Sequence, residues 1–165
     1  VVSNASFVIL PGVGSASAVM NSLKFNNLIP TIKNLTQPVL GICIGMHVLF
    51  NHSEEHDTEC MGIIEGNIKK FKPDMNIKVP QMGWNKVTFN NGYESKLDNY
   101  YYFANSYYSP IYNHALATAK YGLPYSAAVQ SNNFYGCQFH PEKSSVAGKK
   151  FLDYFFNCNE NITSY

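Results

Sequence analysis

"PVLGICIGMHVLF" (38–50) opens as an apolar, strand-like run and passes without a break into a helical pattern, with Cys43 at the junction between two glycines, Gly41 and Gly45. A buried strand that turns straight into a helix is the repeating step of an α/β fold. The residues upstream repeat that step. "FVILPG" (7–12) is a short apolar run stopped by Pro11 and Gly12, the pattern of a fully buried strand. "GSASAVMNSLKF" (14–25) then reads as a helix that Ser15 or Ser17 can cap. A second helical stretch over 27–35 leads to a strand over 38–42 and a helix over 44–51. Strand and helix in alternation predict parallel strands with helices packed on them.

Downstream the pattern changes. "SEEHDTECMG" (53–62) is a polar loop, and segments near 63–71, 77–79 and 86–89 are short and β-like. Strand patterns follow at 100–104, 115–120, 126–130 and 134–139, separated by turn residues. "SSVAGKKFLDYFFN" (144–157) closes the pattern as an amphipathic helix starting near Ser144 or Ser145, with Val146, Phe151, Leu152, Phe155 and Phe156 on or near one face. The expectation is one domain over 1–165 with a mixed, mostly parallel sheet and helices on both faces.

Composition narrows the chemistry. The chain has 165 residues, 45% of them hydrophobic, and a net charge of +1. The charges are interspersed, which argues for neither nucleic acid nor a membrane surface as partner. There are twelve Lys and no Arg, so an anionic ligand must be held by Lys, backbone N–H groups or neutral side chains. No apolar run approaches the roughly 18–20 residues of a transmembrane helix, and no signal-peptide pattern opens the sequence, so the expected location is cytoplasmic. Cys43, Cys60, Cys137 and Cys158 form no C-x-x-C pair and read as free thiols. The five histidines show no zinc spacing, and no metal is expected.

Three motifs carry chemistry. In "GICIG" the strand delivers Cys43 to a tight turn and Ile44 starts the helix. There the helix N-terminus is expected to lower the thiol pKa, and the next backbone N–H points toward an oxygen developing on an attacked carbonyl. A buried core cysteine flanked by packing glycines fits the same five residues. In "GCQFHPEKS" (136–144), His140 and Glu142 stand two apart just beyond a strand. A bend at Pro141 would let the imidazole face Cys43 while the carboxylate fixes the ring. A lone strand-end histidine is more often structural; the nearby Glu and the upstream elbow change that balance. "LPGVGS" (10–15) offers backbone N–H groups on the same sheet edge, or is simply a strand-to-helix turn. It is not a dinucleotide fingerprint.

Together these motifs resemble the class I, triad-type glutamine amidotransferases, whose fold is flavodoxin-like. The resemblance narrows to the glutaminase-subunit family of imidazole glycerol phosphate synthase, in histidine biosynthesis. "LPGVG", "QPVLGICIGM", "SEE", "MGWNKV", "YYFANSYY", "PYSAAVQSNNFYGCQFHPEKS" and "AGKKFLDYF" follow that family's signatures in order. The resemblance implies that Cys43 attacks the side-chain amide of glutamine, that His140 carries the proton and that Glu142 orients it. It implies an oxyanion hole from the N–H groups of Ile44 and Val13, substrate contacts from Gly12, Gly14, His47, Glu54, Ser106 and Tyr107, and no cofactor. Ammonia would pass to a (β/α)8 cyclase subunit docked on Pro80, Met82, Trp84, Asn85 and Lys143.

The sequence also departs from the family. His47 stands where Gln is usual, and Asn105 and Gln81 stand where His is usual; all three keep a hydrogen-bonding side chain. The chain begins "VVSNASFVIL", and the family has a strand and helix before the position of Val1, so the sequence reads as truncated at its N-terminus. The departures leave room for a paralogous glutaminase feeding another synthase, such as one that amidates surface sugars. A cysteine hydrolase with the same elbow, or a docking partner without catalysis of its own, would also fit parts of this pattern.

Overall fold

The computed structural model describes residues 2–72, 77–90 and 94–157. The chain forms β1 (Val8–Leu10), α1 (Ala16–Phe25), α2 (Ile29–Lys33), β2 (Val39–Ile42), α3 (Ile44–His47), β3 (His52–Ser53), β4 (Thr58–Glu59) and β5 (Asn67–Lys70). It continues with β6 (Gln81–Phe89), β7 (Asn99–Asn105), β8 (Tyr107–Tyr108), β9 (Ala115–Tyr121), β10 (Leu123–Ser131), β11 (Phe134–Cys137) and α4 (Ser145–Phe156). A seven-stranded sheet has the order β1-β2-β11-β10-β9-β6-β7, and β4-β3-β5-β8 form a small second sheet.

The large sheet is mixed, as expected, but its parallel part is smaller than the sequence suggests. Only β1–β2 and β2–β11 pair in parallel. The pairings β11–β10, β10–β9, β9–β6 and β6–β7 are antiparallel. Consecutive residues of β2 feed opposite faces, as the strand period requires. Val39 joins Met20, Ile32, Met46 and Phe50 in the layer under α1, α2 and α3. Leu40 joins Phe103, Tyr125, Phe139 and Phe151 in the layer under α4.

Several boundaries differ from the sequence expectation. Strand β1 lies at the sheet edge and its Ile9 is exposed, so it is not fully buried. Helix α3 ends at His47 and continues as turns, instead of running to residue 51. Residues 77–79 form no strand, whereas β6 begins at Gln81, well before residue 86. The first half of β6 contains Gly83 and turns its apolar residues Met82 and Trp84 outward, which hides it locally, yet β7 pairs with it from Gln81↔Asn105 to Val87↔Asn99. On α4 the inward line is Ala147, Gly148, Phe151 and Phe155, while Val146 is 65% exposed and Phe156 is also exposed. The helix rolls this way because Gly148 abuts the Pro141 carbonyl, where a Cβ would come within 1.9 Å. Cys43, Cys60 and Cys137 are free thiols, and Cys158 lies outside the described residues.

Candidate active site

The end of β2 and the start of α3 meet at Cys43, whose φ of 52° and ψ of −109° are rare for a residue with a side chain. The surrounding packing enforces that bend. Gly45 lies so close to β1 that a Cβ there would sit 1.9 Å from the Leu10 carbonyl oxygen. The Cys43 N–H is tied to the Cys137 carbonyl at 2.7 Å, which locks the corner to β11.

The corner does not act on the thiol as the sequence reading expects. Cys43 is only 5% exposed, and burial pushes its pKa up to about 11. The Ile44 N–H and the Gln138 amide pull the other way, and they lose to desolvation. Helix α3 has four residues, too few for a substantial dipole. Besides the Ile44 N–H, Sγ meets Gln138 Nε2 at 3.7 Å and the Ala104 carbonyl oxygen at 4.0 Å. No hydrogen bond joins Cys43 to His140 among the described residues.

His140 follows β11. Its N–H donates to the Tyr102 carbonyl at 2.9 Å, and its own carbonyl accepts from Ser144 Oγ at 2.6 Å. Pro141 starts a short 3-10 turn that brings Glu142 Oε1 to 2.8 Å from His140 Nδ1. A carboxylate at Nδ1 keeps the proton on that nitrogen, so Nε2 retains the lone pair that a general base requires.

Cys43, Ile44 and His140 line a cavity of about 250 Å³ together with Gly12, Gly14 and His47. Glu55, Pro80 and the stretch Ala104–Tyr107 also line it. The volume is near the lower end of the range for ligand pockets, roughly 300 Å³. Val13, expected in the oxyanion hole, turns its side chain outward and is 83% exposed.

Glu54, expected at the substrate, lies elsewhere. Its carboxylate accepts from the Lys70 N–H at 2.7 Å and from Lys69 Nζ at 3.0 Å, which hold its pKa below the usual carboxylate range. The cavity carboxylate is its neighbour Glu55, which accepts from the Ala16 N–H in the first turn of α1 at 2.7 Å. The two adjacent glutamates point apart, Glu54 to Lys69 and Lys70 of β5 and Glu55 to the first turn of α1. Gln138 is the other residue missed. A fully polar side chain amid the buried run "FYGCQFH" was the available signal.

Of the residues expected at an interface, Met82 and Trp84 stand on the open face of β6, Asn85 alternates to the opposite face, Lys143 lies in the turn after His140, and Pro80 precedes the strand. Met82 and Trp84 are 65% and 54% exposed, and Trp84 meets Tyr102 edge-on at 6.2 Å between ring centroids. Lys143 Nζ lies 5.9 Å from the centre of the Tyr102 ring. Asn85 is held by the Lys120 carbonyl at 2.9 Å, and Pro80 faces the cavity instead of standing apart from it.

The sequence matches the family described as glutamine amidotransferase class-I over residues 2–158. The chain belongs to that family. A relative from Pasteurella multocida, an imidazole glycerol phosphate synthase subunit HisH, is 45% identical over 98% of this chain and 81% of its own length. The HisH subunit of Bacteroides thetaiotaomicron is 42% identical, over 95% of this chain and 82% of its own. Among solved structures, a glutamine amidotransferase superposes with a TM-score of 0.64 at 13% identity, covering 92% of this chain and 78% of its own. Another glutamine amidotransferase, from Thermotoga maritima, gives 0.58 at 17% identity, covering 97% and 66%. These two likenesses bear on the fold alone. Among the described residues no helix is long and apolar enough to cross a membrane.

Proposed function

We propose that this chain is the cytoplasmic glutaminase subunit of an imidazole glycerol phosphate synthase, acting as one amidotransferase domain. The observation that carries the reading is a cysteine at a strained strand-to-helix corner, sharing a small cavity with a histidine whose Nδ1 is held by a carboxylate. The HisH relatives supply the pathway.

Cys43 Sγ attacks the side-chain carbonyl carbon of glutamine while its proton passes to His140 Nε2. The Ile44 N–H, already beside the sulfur, donates to the developing oxyanion; the Val13 N–H joins it after the "PGVG" turn rotates. The C–N bond breaks, His140 returns the proton to the leaving nitrogen, and ammonia departs from a Cys43 thioester. Water, deprotonated by His140, then releases glutamate and the thiol. Glu55 pairs with the substrate ammonium, and the backbone around Ser106–Tyr107 holds its far end in place of an arginine. His47, Gly12 and Gly14 form the remaining wall.

Ammonia passes to a (β/α)8 cyclase subunit docked against Met82, Trp84, Asn85 and Lys143, beside Pro80 at the cavity mouth. A neutral, buried Cys43 and an outward Val13 describe a resting glutaminase, so the isolated chain is nearly silent. The test is ammonia release from glutamine with and without a histidine-type cyclase and its nucleotide ligand. Stimulation that disappears in Cys43→Ala is expected. Folded protein that the cyclase neither binds nor stimulates would overturn the reading.

A further inference from the structure

Behind Cys43 lie two polar side chains that play no part in these proton transfers: His47 at the end of α3 and Gln138 just past β11, both fully buried. Gln138 Oε1 is 2.7 Å from His47 Nε2, and Gln138 Nε2 is 3.7 Å from Cys43 Sγ. Gln138 is the only side chain that hydrogen-bonds to Sγ among the described residues.

An amide oxygen only accepts and an amide nitrogen only donates, so the orientation of Gln138 depends on which imidazole nitrogen carries the proton. His47 Nδ1 decides between the two arrangements. It is buried and has no hydrogen-bond partner among the described residues. If Nδ1 bore the proton, an N–H would be stranded in the interior, which is rarer and costlier than a stranded lone pair. The Nε2–H tautomer leaves only the lone pair and sends a donor to Gln138 Oε1. The amide NH2 must then face the sulfur. Burial also keeps the ring neutral, with a pKa lowered to about 4, so this donor arrangement persists across the working pH range.

We propose that His47 and Gln138 are positioning residues for the nucleophile: the His47 Nε2–H fixes the Gln138 amide so that its NH2 donates to Cys43 Sγ as the thiolate forms. The inference deepens the glutaminase reading and rests on Cys43 being its nucleophile. A donor to a charged sulfur strengthens as the charge appears, so it acts when His140 takes the proton. It works against the Glu55 and Glu142 carboxylates, which both raise the thiol pKa, and beside the Ile44 N–H, which lowers it; the neutral Cys137 thiol lies behind.

The test reads the thiol without glutamine. Alkylation of Cys43 by iodoacetamide, followed by peptide mass spectrometry, is measured against pH in the whole chain. In Gln138→Leu the rate below the thiol midpoint is expected to fall about tenfold, as loss of one hydrogen bond to a charged group predicts. His47→Leu, which lets the amide turn, gives a smaller loss of about threefold. His47→Gln restores the rate, because a second amide can also donate to Oε1. An unchanged profile in folded Gln138→Leu, or His47→Gln as slow as His47→Leu, would overturn the pairing. Nitrogen-15 NMR of the His47 ring needs no variant: a proton on Nε2 at pH 7 supports the proposal, and one on Nδ1 sinks it. Alkylation that follows this pattern in a protein that never turns over glutamine would sink the glutaminase reading alone. Turnover with an unmoved alkylation profile would sink the pairing alone.

Discussion

Acidification protonates His47 in the unfolded chain long before it does so in the folded one. The ordinary pKa is 6.5, and complete burial lowers it to about 4 in the native state, with the Gln138 contact recovering only part of the shift. A group whose folded pKa is depressed makes its contribution above the unfolded value and loses it as the pH falls toward the folded one. Between these two values the unfolded state binds the proton and the native state does not. The linkage amounts to about 2 kcal/mol of lost stability at pH 5 and about 3 kcal/mol at pH 4. Against a total of roughly 5–15 kcal/mol, that loss is large. The assay is urea unfolding by far-UV circular dichroism at pH 7, 6, 5 and 4.5, on the chain and on His47→Gln. Subtraction removes carboxylate titrations common to both, Glu54 included, whose lysine-side contacts are also lost in acid. The difference in unfolding free energy is expected to fall by about 2 kcal/mol from pH 7 to pH 5. A difference that stays flat over this window would refute the account of His47 as a ring kept neutral by burial.

Three further outcomes follow from the same geometry. Gly45→Ala drives a Cβ to 1.9 Å from the Leu10 carbonyl oxygen, main chain that cannot swing aside; thermal melts should show a loss of about 3 kcal/mol or more. Trp84→Ala removes a ring that is 54% exposed, so stability should change by about 1 kcal/mol or less, while calorimetry should show cyclase affinity falling about thirtyfold. Glu55→Gln should raise the KM for glutamine about tenfold, through loss of a carboxylate–ammonium contact, whereas Glu54→Gln should leave it within about twofold. Equal effects from the two glutamates would contradict the assignment of Glu55 to the cavity.

The strand–cysteine–helix corner was legible in thirteen residues because its causes are local: a β-like apolar run, a glycine on each side of Cys43, and a helical pattern starting at once. The same holds for the Ser15 cap of α1, whose Oγ accepts from the Ala18 N–H, and for the His140–Glu142 pairing, which a single turn at Pro141 enforces. The sequence by itself therefore determined the fold family, the corner that holds Cys43 and the pairing of His140 with Glu142. Tertiary structure decided what depends on distant neighbours. The β9–β10 and β10–β11 pairings are tight hairpins, but the placing of β6 beside β9, with Val87 opposite Ala119, arises from non-local register. The choice of Glu55 over Glu54 depends on distant partners, the lysines of β5 that occupy Glu54 and the first turn of α1 that holds Glu55. The Cys43 thiol is the sharpest case: local pattern predicts an activated thiol at a helix N-terminus, but α3 is one turn long and the packed layer around it removes water. Desolvation depends on everything that closes over a group, and no short stretch of sequence contains that information.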